Sequence, residues 1–312
     1  MSPHPPLLAA ATRRQCLKLG LAGLAGVGTV HADDVPVIRY PARQSPLDTR
    51  SQDLISLLDA ALRRTEAQYG PVRLQPSDEV LTELRQFVEL DADRGVLHVT
   101  WATPSQERRS RARPVLFDVR RGLLGMRISL VDERRLPELA QVTDLQGLRR
   151  FTLGQGLGWP DVEVFRASSL QVFTVSGYEN LFRMLLAGRF DLFPRGVGEV
   201  FDEFDARHRL MPRLAIEPGL LLVYPYPYYY YFAPSQEALA RRVEEGLQLM
   251  KADGSFDAHL WRFHGAAIER ARLRERRTLH LRNPSISDAT AREVESNLAS
   301  WTKPPPARRP RR

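Results

Sequence analysis

Val96-Leu97-His98-Val99-Thr100-Trp101 is the third of three short extended runs that alternate with helical stretches early in the chain. Upstream, Val35 to Tyr40 and Val72 to Leu74 form the first two runs. Between them Leu54, Leu57, Leu58, Ala61 and Leu62 recur at helical spacing, and Gly70-Pro71 ends that helix near Tyr69. Ser77 is placed to cap a second helix with Val80, Leu81, Leu84, Phe87 and Val88 on its apolar face. Asp91 to Gly95 then turns the chain into the third run. Strand, helix, strand, helix, strand predicts a parallel sheet covered by helices.

Val115 to Val131 breaks this rhythm, with extended runs interrupted by Gly122 and Gly125. A second α/β unit follows. Phe151 to Leu153, Leu170 to Phe173 and Phe190 to Phe193 read as strands. Helical stretches begin at Asp161, Tyr178 and Gly198, and the loop Gly154-Gln155-Gly156-Leu157-Gly158-Trp159 follows the first of these strands. Leu220 to Phe232 is tyrosine-rich, and Pro225 and Pro227 forbid a helix there. Beyond Pro234-Ser235, Leu239, Val243, Leu247 and Met250 mark an amphipathic helix. A helix Phe256 to Phe263 and a basic helix Ala266 to Arg277 come next. The predicted order is a first lobe (33–123), a second lobe (124–222), a return to the first (223–282) and a C-terminal extension (283–312) with a basic, Pro-rich tail. A chain that crosses twice between lobes leaves a cleft, where ligands preferentially bind.

Residues 1–32 read as an export signal of the twin-arginine type. Arg13-Arg14 and Lys18 precede a short, Gly-containing apolar run, Leu19 to Val30, and Val30-His31-Ala32 precedes Asp33-Asp34. That predicts a soluble periplasmic protein. The one cysteine, Cys16, leaves with the signal, so no disulfide, thiol nucleophile or cysteine metal site is expected in the mature chain. The net charge of +8 is carried almost wholly by arginine, since Lys18, Lys251 and Lys303 are the only lysines. Its basic runs are dispersed, which argues against nucleic-acid binding. Histidines at 98, 208, 259, 264 and 280 form no metal-ligand or catalytic motif. His259 and His264, five apart, do not share a helical face. No cofactor and no enzymatic activity are expected.

Four landmarks carry a resemblance. They are Thr103-Pro104-Ser105-Gln106-Glu107-Arg108 after the third strand, and Arg121-Gly122-Leu123-Leu124-Gly125-Met126-Arg127. The others are Gly156 to Asp161 with Leu185 to Gly196, and Leu249 to Asp257. In this order they resemble the extracytoplasmic solute-binding proteins of amino-acid-type transporters, over roughly residues 35 to 264. The resemblance implies a two-lobed, type II periplasmic-binding-protein-like α/β fold, each lobe a mainly parallel sheet flanked by helices. It implies a monomer that binds a small polar solute and presents it to a membrane permease or receptor. It also implies that Arg108 clamps a ligand carboxylate, with Thr103 and Ser105 donating hydroxyls or capping a turn. Tyr40 floors the cleft or joins the core. Gln155 and Trp159 line the cleft, or Trp159 packs at the lobe edge, and Asp161 receives a cation or caps its helix. Arg195 faces the cleft or pairs with Glu199. The second-lobe acid that holds a ligand ammonium in amino-acid binders has no match near Phe193-Pro194-Arg195-Gly196, so a carboxylate-bearing solute suits the two arginines better.

Overall fold

A computed structural model describes residues 35–301. The export-signal reading of 1–32 and the tail lie outside the described residues. Apolar residues recur on one face of the helix Gln52–Arg64, burying Leu54, Leu57, Leu58, Ala61 and Leu62. The helix Glu237–Ala252 packs directly on it, burying Val243, Leu247 and Met250. Gly246 sits at the closest approach, where a Cβ would come 2.1 Å from the Ala61 carbonyl oxygen.

The strands are β1 (Val37–Tyr40), β2 (Arg73–Pro76), β3 (Val99–Ala102), β4 (Arg113–Pro114), β5 (Met126–Asp132) and β6 (Thr152–Gly156). They continue with β7 (Gln171–Val175), β8 (Leu192–Gly196), β9 (Leu214–Ile216), β10 (Leu220–Val223), β11 (Tyr229–Phe232) and β12 (Arg277–His280). In the first lobe β1 pairs in parallel with β2, and β11 lies antiparallel between β3 and β4. The two ladders are tied at His98, whose amide donates to the Arg39 carbonyl at 2.9 Å. Its Nδ1 accepts from the Arg39 amide at 2.8 Å.

The second lobe is a sheet in the order β12-β10-β5-β8-β6-β7, with β9 also on β5. Among the described residues, every antiparallel ladder contains β5 or β11, the strands entered by the two crossings. The ladders β1/β2, β6/β7, β6/β8 and β10/β12 are parallel. β12 falls within the segment expected to return to the first lobe, yet it pairs with β10 in the second sheet, where Leu279 is buried.

The crossings run side by side. Val115 and Val119 amides donate to Tyr230 and Tyr228 carbonyls, each at 2.9 Å. The Asp118 carboxylate accepts amides from both passages: Arg120 and Gly122 on its own, at 3.2 and 2.7 Å, and Tyr228 on the other, at 3.2 Å. The C-terminal helix Asp288–Trp301 lies over this point, and Trp301 Nε1 donates to the Arg121 carbonyl at 2.9 Å.

Three local expectations are corrected. Thr82, not Ser77, caps the helix Glu83–Ala92, because Ser77 Oγ accepts the Ala42 amide at 3.0 Å and donates to the Glu79 carbonyl at 2.7 Å. That helix is turned so that Leu84 and Val88 are exposed while Gln86, Phe87, Glu89 and Leu90 are buried. The buried Gln86 bonds Thr100 Oγ1 at 2.6 Å and the Leu81 carbonyl at 3.1 Å, which stabilises this rotation. The two helices expected after Phe256 are one, Ser255–Ala271, closed by Arg272 at φ 45°. On it His259 and His264 both reach Asp53, one to its carbonyl and one to its carboxylate, each at 3.0 Å.

Candidate functional site

Strands of the first lobe end at Tyr40 and Trp101-Ala102, and those of the second lobe at Gly156 and Gly196. Loops leaving the carboxyl ends of strands commonly build the ligand site of an open α/β sheet. Here they enclose a cavity of about 340 Å³ between the lobes. Its first-lobe wall includes Tyr40, Arg43, Arg50, Glu83 and Trp101. Its second-lobe wall includes Arg127, Trp159, Asp161, Arg195 and Glu199, and Arg120, Tyr226 and Tyr228 come from the crossings.

The floor is a lattice of ion pairs. Arg120 grips Asp53 with two nitrogens at 2.8 Å. Arg195 grips Glu203 at 2.7 and 2.8 Å, and Arg50 grips Asp48 at 2.8 Å. Arg127 meets Asp161 at 2.6 Å, and the Tyr226 hydroxyl donates to the same carboxylate at 2.8 Å. The Tyr224 hydroxyl also donates to Asp161 and accepts from Arg127 Nε at 2.9 Å. Glu199 is shared by Arg195 at 3.1 Å, Arg127 at 3.5 Å and Arg120 at 3.8 Å. Burial alone would raise its pKa, but those arginines outweigh burial and bring it down to about 2. Because every guanidinium in the lattice has a carboxylate partner, burial leaves none of these charges uncompensated.

Aromatic rings flank the lattice. Arg195 and Arg50 lie 4.9 and 5.6 Å from the Trp159 ring centroid. Tyr40 and Trp101 are tilted rings 6.4 Å apart.

The structure brings Tyr40, Trp159, Asp161 and Arg195 into the cavity wall. It places Arg108, Thr103, Ser105 and Gln155 behind it. Arg108 is buried over the Phe87 ring, donates to the Thr103 carbonyl at 2.9 Å and is ion-paired with Glu83. Ser105 Oγ accepts the Arg108 amide at 3.2 Å, as the cap of the helix Gln106–Arg111. Thr103 is buried with no partner for its hydroxyl. Gln155 is buried under β8, its amide nitrogen 3.2 Å from the Pro194 carbonyl and its Oε1 unpartnered. Arg195 lines the cavity and also pairs with Glu199.

Sequence reasoning passed over Glu83, Trp101, Arg120, Arg127 and Glu199. The landmark run Arg121 to Arg127 carried a signal for Arg127, and the spacing from Arg195 carried one for Glu199. Burial raises the Glu83 pKa against the pull of Arg108, with nearby Asp161 adding to the rise. Among the described residues no group of three or more His, Cys, Asp or Glu is arranged to hold a metal. None of their helices is long and apolar enough to cross a membrane.

No family model and no curated protein matches the sequence. Solved structures match its fold. A Salmonella typhimurium periplasmic binding protein of high arginine specificity superposes with a TM-score of 0.54 at 10% identity, covering 74% of this chain and 100% of that one. An ancestral arginine-binding protein bound to arginine gives 0.52 at 17% identity, covering 73% and 97%. A histidine kinase sensor domain with similarity to periplasmic binding proteins gives 0.50 at 15% identity, covering 74% and 96%. These likenesses show the fold, and the chain has the two-lobed fold of the type II periplasmic solute-binding proteins.

Proposed function

We propose that this protein is a non-catalytic binder that takes a small polar solute into the interlobe cavity, outside the cytoplasm, and presents it to a membrane transporter. The observation that carries this reading is the cavity itself. It draws side chains from both lobes and both crossings, and its volume suits a ligand of metabolite size. Most of its charged groups are ion-paired arginines and carboxylates, an arrangement suited to orienting a ligand. A carboxylate on the solute meets one lining guanidinium with no acidic partner among the described residues, that of Arg43 at the mouth. A second reading, a solute sensor that signals to a membrane receptor as a monomer, draws support from the likeness to the sensor domain.

Thermal-shift titration of the purified protein against amines, amino acids, carboxylates and sugars tests the binding reading. Saturable stabilisation with no chemical change in the ligand is expected. Turnover of any compound that stabilises the protein would replace it with an enzymatic one.

A further inference from the structure

Arg50, Arg120, Arg127 and Arg195 each carry a carboxylate partner of their own, so the floor has little left with which to hold an anion. Accepting capacity remains. Glu83 uses Oε1 for Arg108, and its Oε2 has no partner among the described residues. Nor do the hydroxyls of Tyr40 and Tyr228 hydrogen-bond to any described residue. Beside them Tyr40 and Trp101 offer ring faces, which attract cations through their quadrupoles. Glu83 comes from the first lobe and Asp161 from the second, and both line the cavity.

We infer that the cavity selects a small organic cation, an amine or guanidine, seated on Glu83 against Tyr40 and Trp101, and does not require a carboxylate on its ligand. This inference rests on the binding reading and names the ligand class for the same site. Arg108 lies behind Glu83, where it holds and orients the carboxylate without reaching the ligand. Arg43, which also lines the cavity, is exposed.

Calorimetric titration with three probes tests it: agmatine (a guanidine and an amine without a carboxylate), arginine and glutarate. Agmatine is expected to bind saturably and glutarate not at all. Glu83→Gln should weaken agmatine roughly 10- to 100-fold, the usual effect of losing a charged hydrogen-bond partner. The same change frees Arg108, so it should leave glutarate binding the same or strengthen it. Should Glu83→Gln fail to fold, a pH series on the unaltered protein replaces it, with agmatine affinity falling as Glu83 protonates while circular dichroism is constant. Glutarate binding without agmatine binding, agmatine affinity unmoved by Glu83→Gln, or an affinity flat with pH where the variant does not fold overturns the inference and leaves the binding reading intact. No stabilisation by any of these probes or by the wider screen overturns both.

Discussion

Arg50, in the first lobe, holds its guanidinium 3.9 Å from the ring centroid of Tyr178, in the second. Beside it Ser45 Oγ donates to Glu179 at 2.7 Å, so the loop after β1 is fastened to the helix Tyr178–Leu186. At the far side the helix Ser255–Ala271 packs on the helix Val197–Asp205, and Arg270 pairs with Asp205 at 2.6 Å. One continuous buried cluster includes Leu57 and Leu260 of the first lobe and Val197 and Phe201 of the second. Domains joined by small polar contacts move freely, but a continuous apolar seam opposes separation.

Tyr178 tests this seam. Its hydroxyl donates to Glu203 at 2.7 Å, and its ring carries both Arg50 and, at 5.2 Å, Arg207. Tyr178→Phe removes only the hydroxyl, whose acceptor is a carboxylate, and should cost about 1.5–3 kcal/mol of unfolding free energy. Tyr178→Ala removes the ring as well and should cost about 3–5 kcal/mol. Urea denaturation measures both, and small-angle scattering should show a larger radius of gyration for the alanine variant alone. Equal losses from the two variants would deny the ring its role across the seam.

Gly125 stands where the two crossings touch. A Cβ there would lie 2.0 Å from the Tyr224 carbonyl oxygen, and the Tyr224 amide donates to the Gly125 carbonyl at 3.1 Å. Gly125→Ala must push the passages apart, an overpacking that typically costs about 1–3 kcal/mol. Because the strain falls between the passages, the exchange of the Tyr224 amide with deuterium should accelerate more than that of amides in β6. Uniform acceleration would mean general destabilisation instead.

Much of this fold is legible in the residues. The apolar periodicity of Leu54 to Leu62, the prolines at 225 and 227 and the alternation of short strands with helices follow from local spacing, and the local rule operates in the folded protein. The cavity wall is legible where it lies directly beyond a strand end, as with Tyr40 and Trp159. Arg108 shows the limit. Nothing in the run Thr103 to Arg108 reveals that Glu83, on an earlier helix, occupies its guanidinium, because the pairing depends on how that helix is rotated. The same holds for Asp53, which gathers Arg120, His259 and His264 from distant segments, and for β12, whose partner is chosen by the return path of the chain.

Asp118 predicts a pH dependence at the crossings. Burial raises its pKa to about 6 from an ordinary 3.8, against the opposing effect of three backbone amides. An acid whose folded pKa is raised takes up its proton more readily when folded. Its contribution to stability therefore becomes more favourable as pH falls from about 6 towards 3.8, and least favourable above that window. Asp118→Asn cannot titrate, so the difference in melting temperature between variant and parent should change across this window and flatten above it. A difference constant from pH 3.5 to 8, values set by roughly that window, would show that Asp118 titrates normally.

Arg127 and Asp161 form an enclosed cavity pair bonded by two tyrosine hydroxyls, their side chains 3% and 5% exposed. Asp161→Asn keeps the shape but leaves Arg127 with Glu199, at 3.5 Å, as its one carboxylate partner among the described residues, and it weakens the acceptor of Tyr224 and Tyr226. Removing one partner of a buried pair typically costs about 3–5 kcal/mol, since the other charge stays desolvated. Replacing both by uncharged residues of similar shape, Arg127→Met with Asp161→Asn, should recover part of that loss, because the desolvated cation is gone. A double-mutant cycle in urea isolates the coupling, which is expected to exceed about 1 kcal/mol for groups in direct contact. Additive losses would show that the two charges are stabilised independently by their other neighbours, Glu199 for Arg127 and the two tyrosine hydroxyls for Asp161.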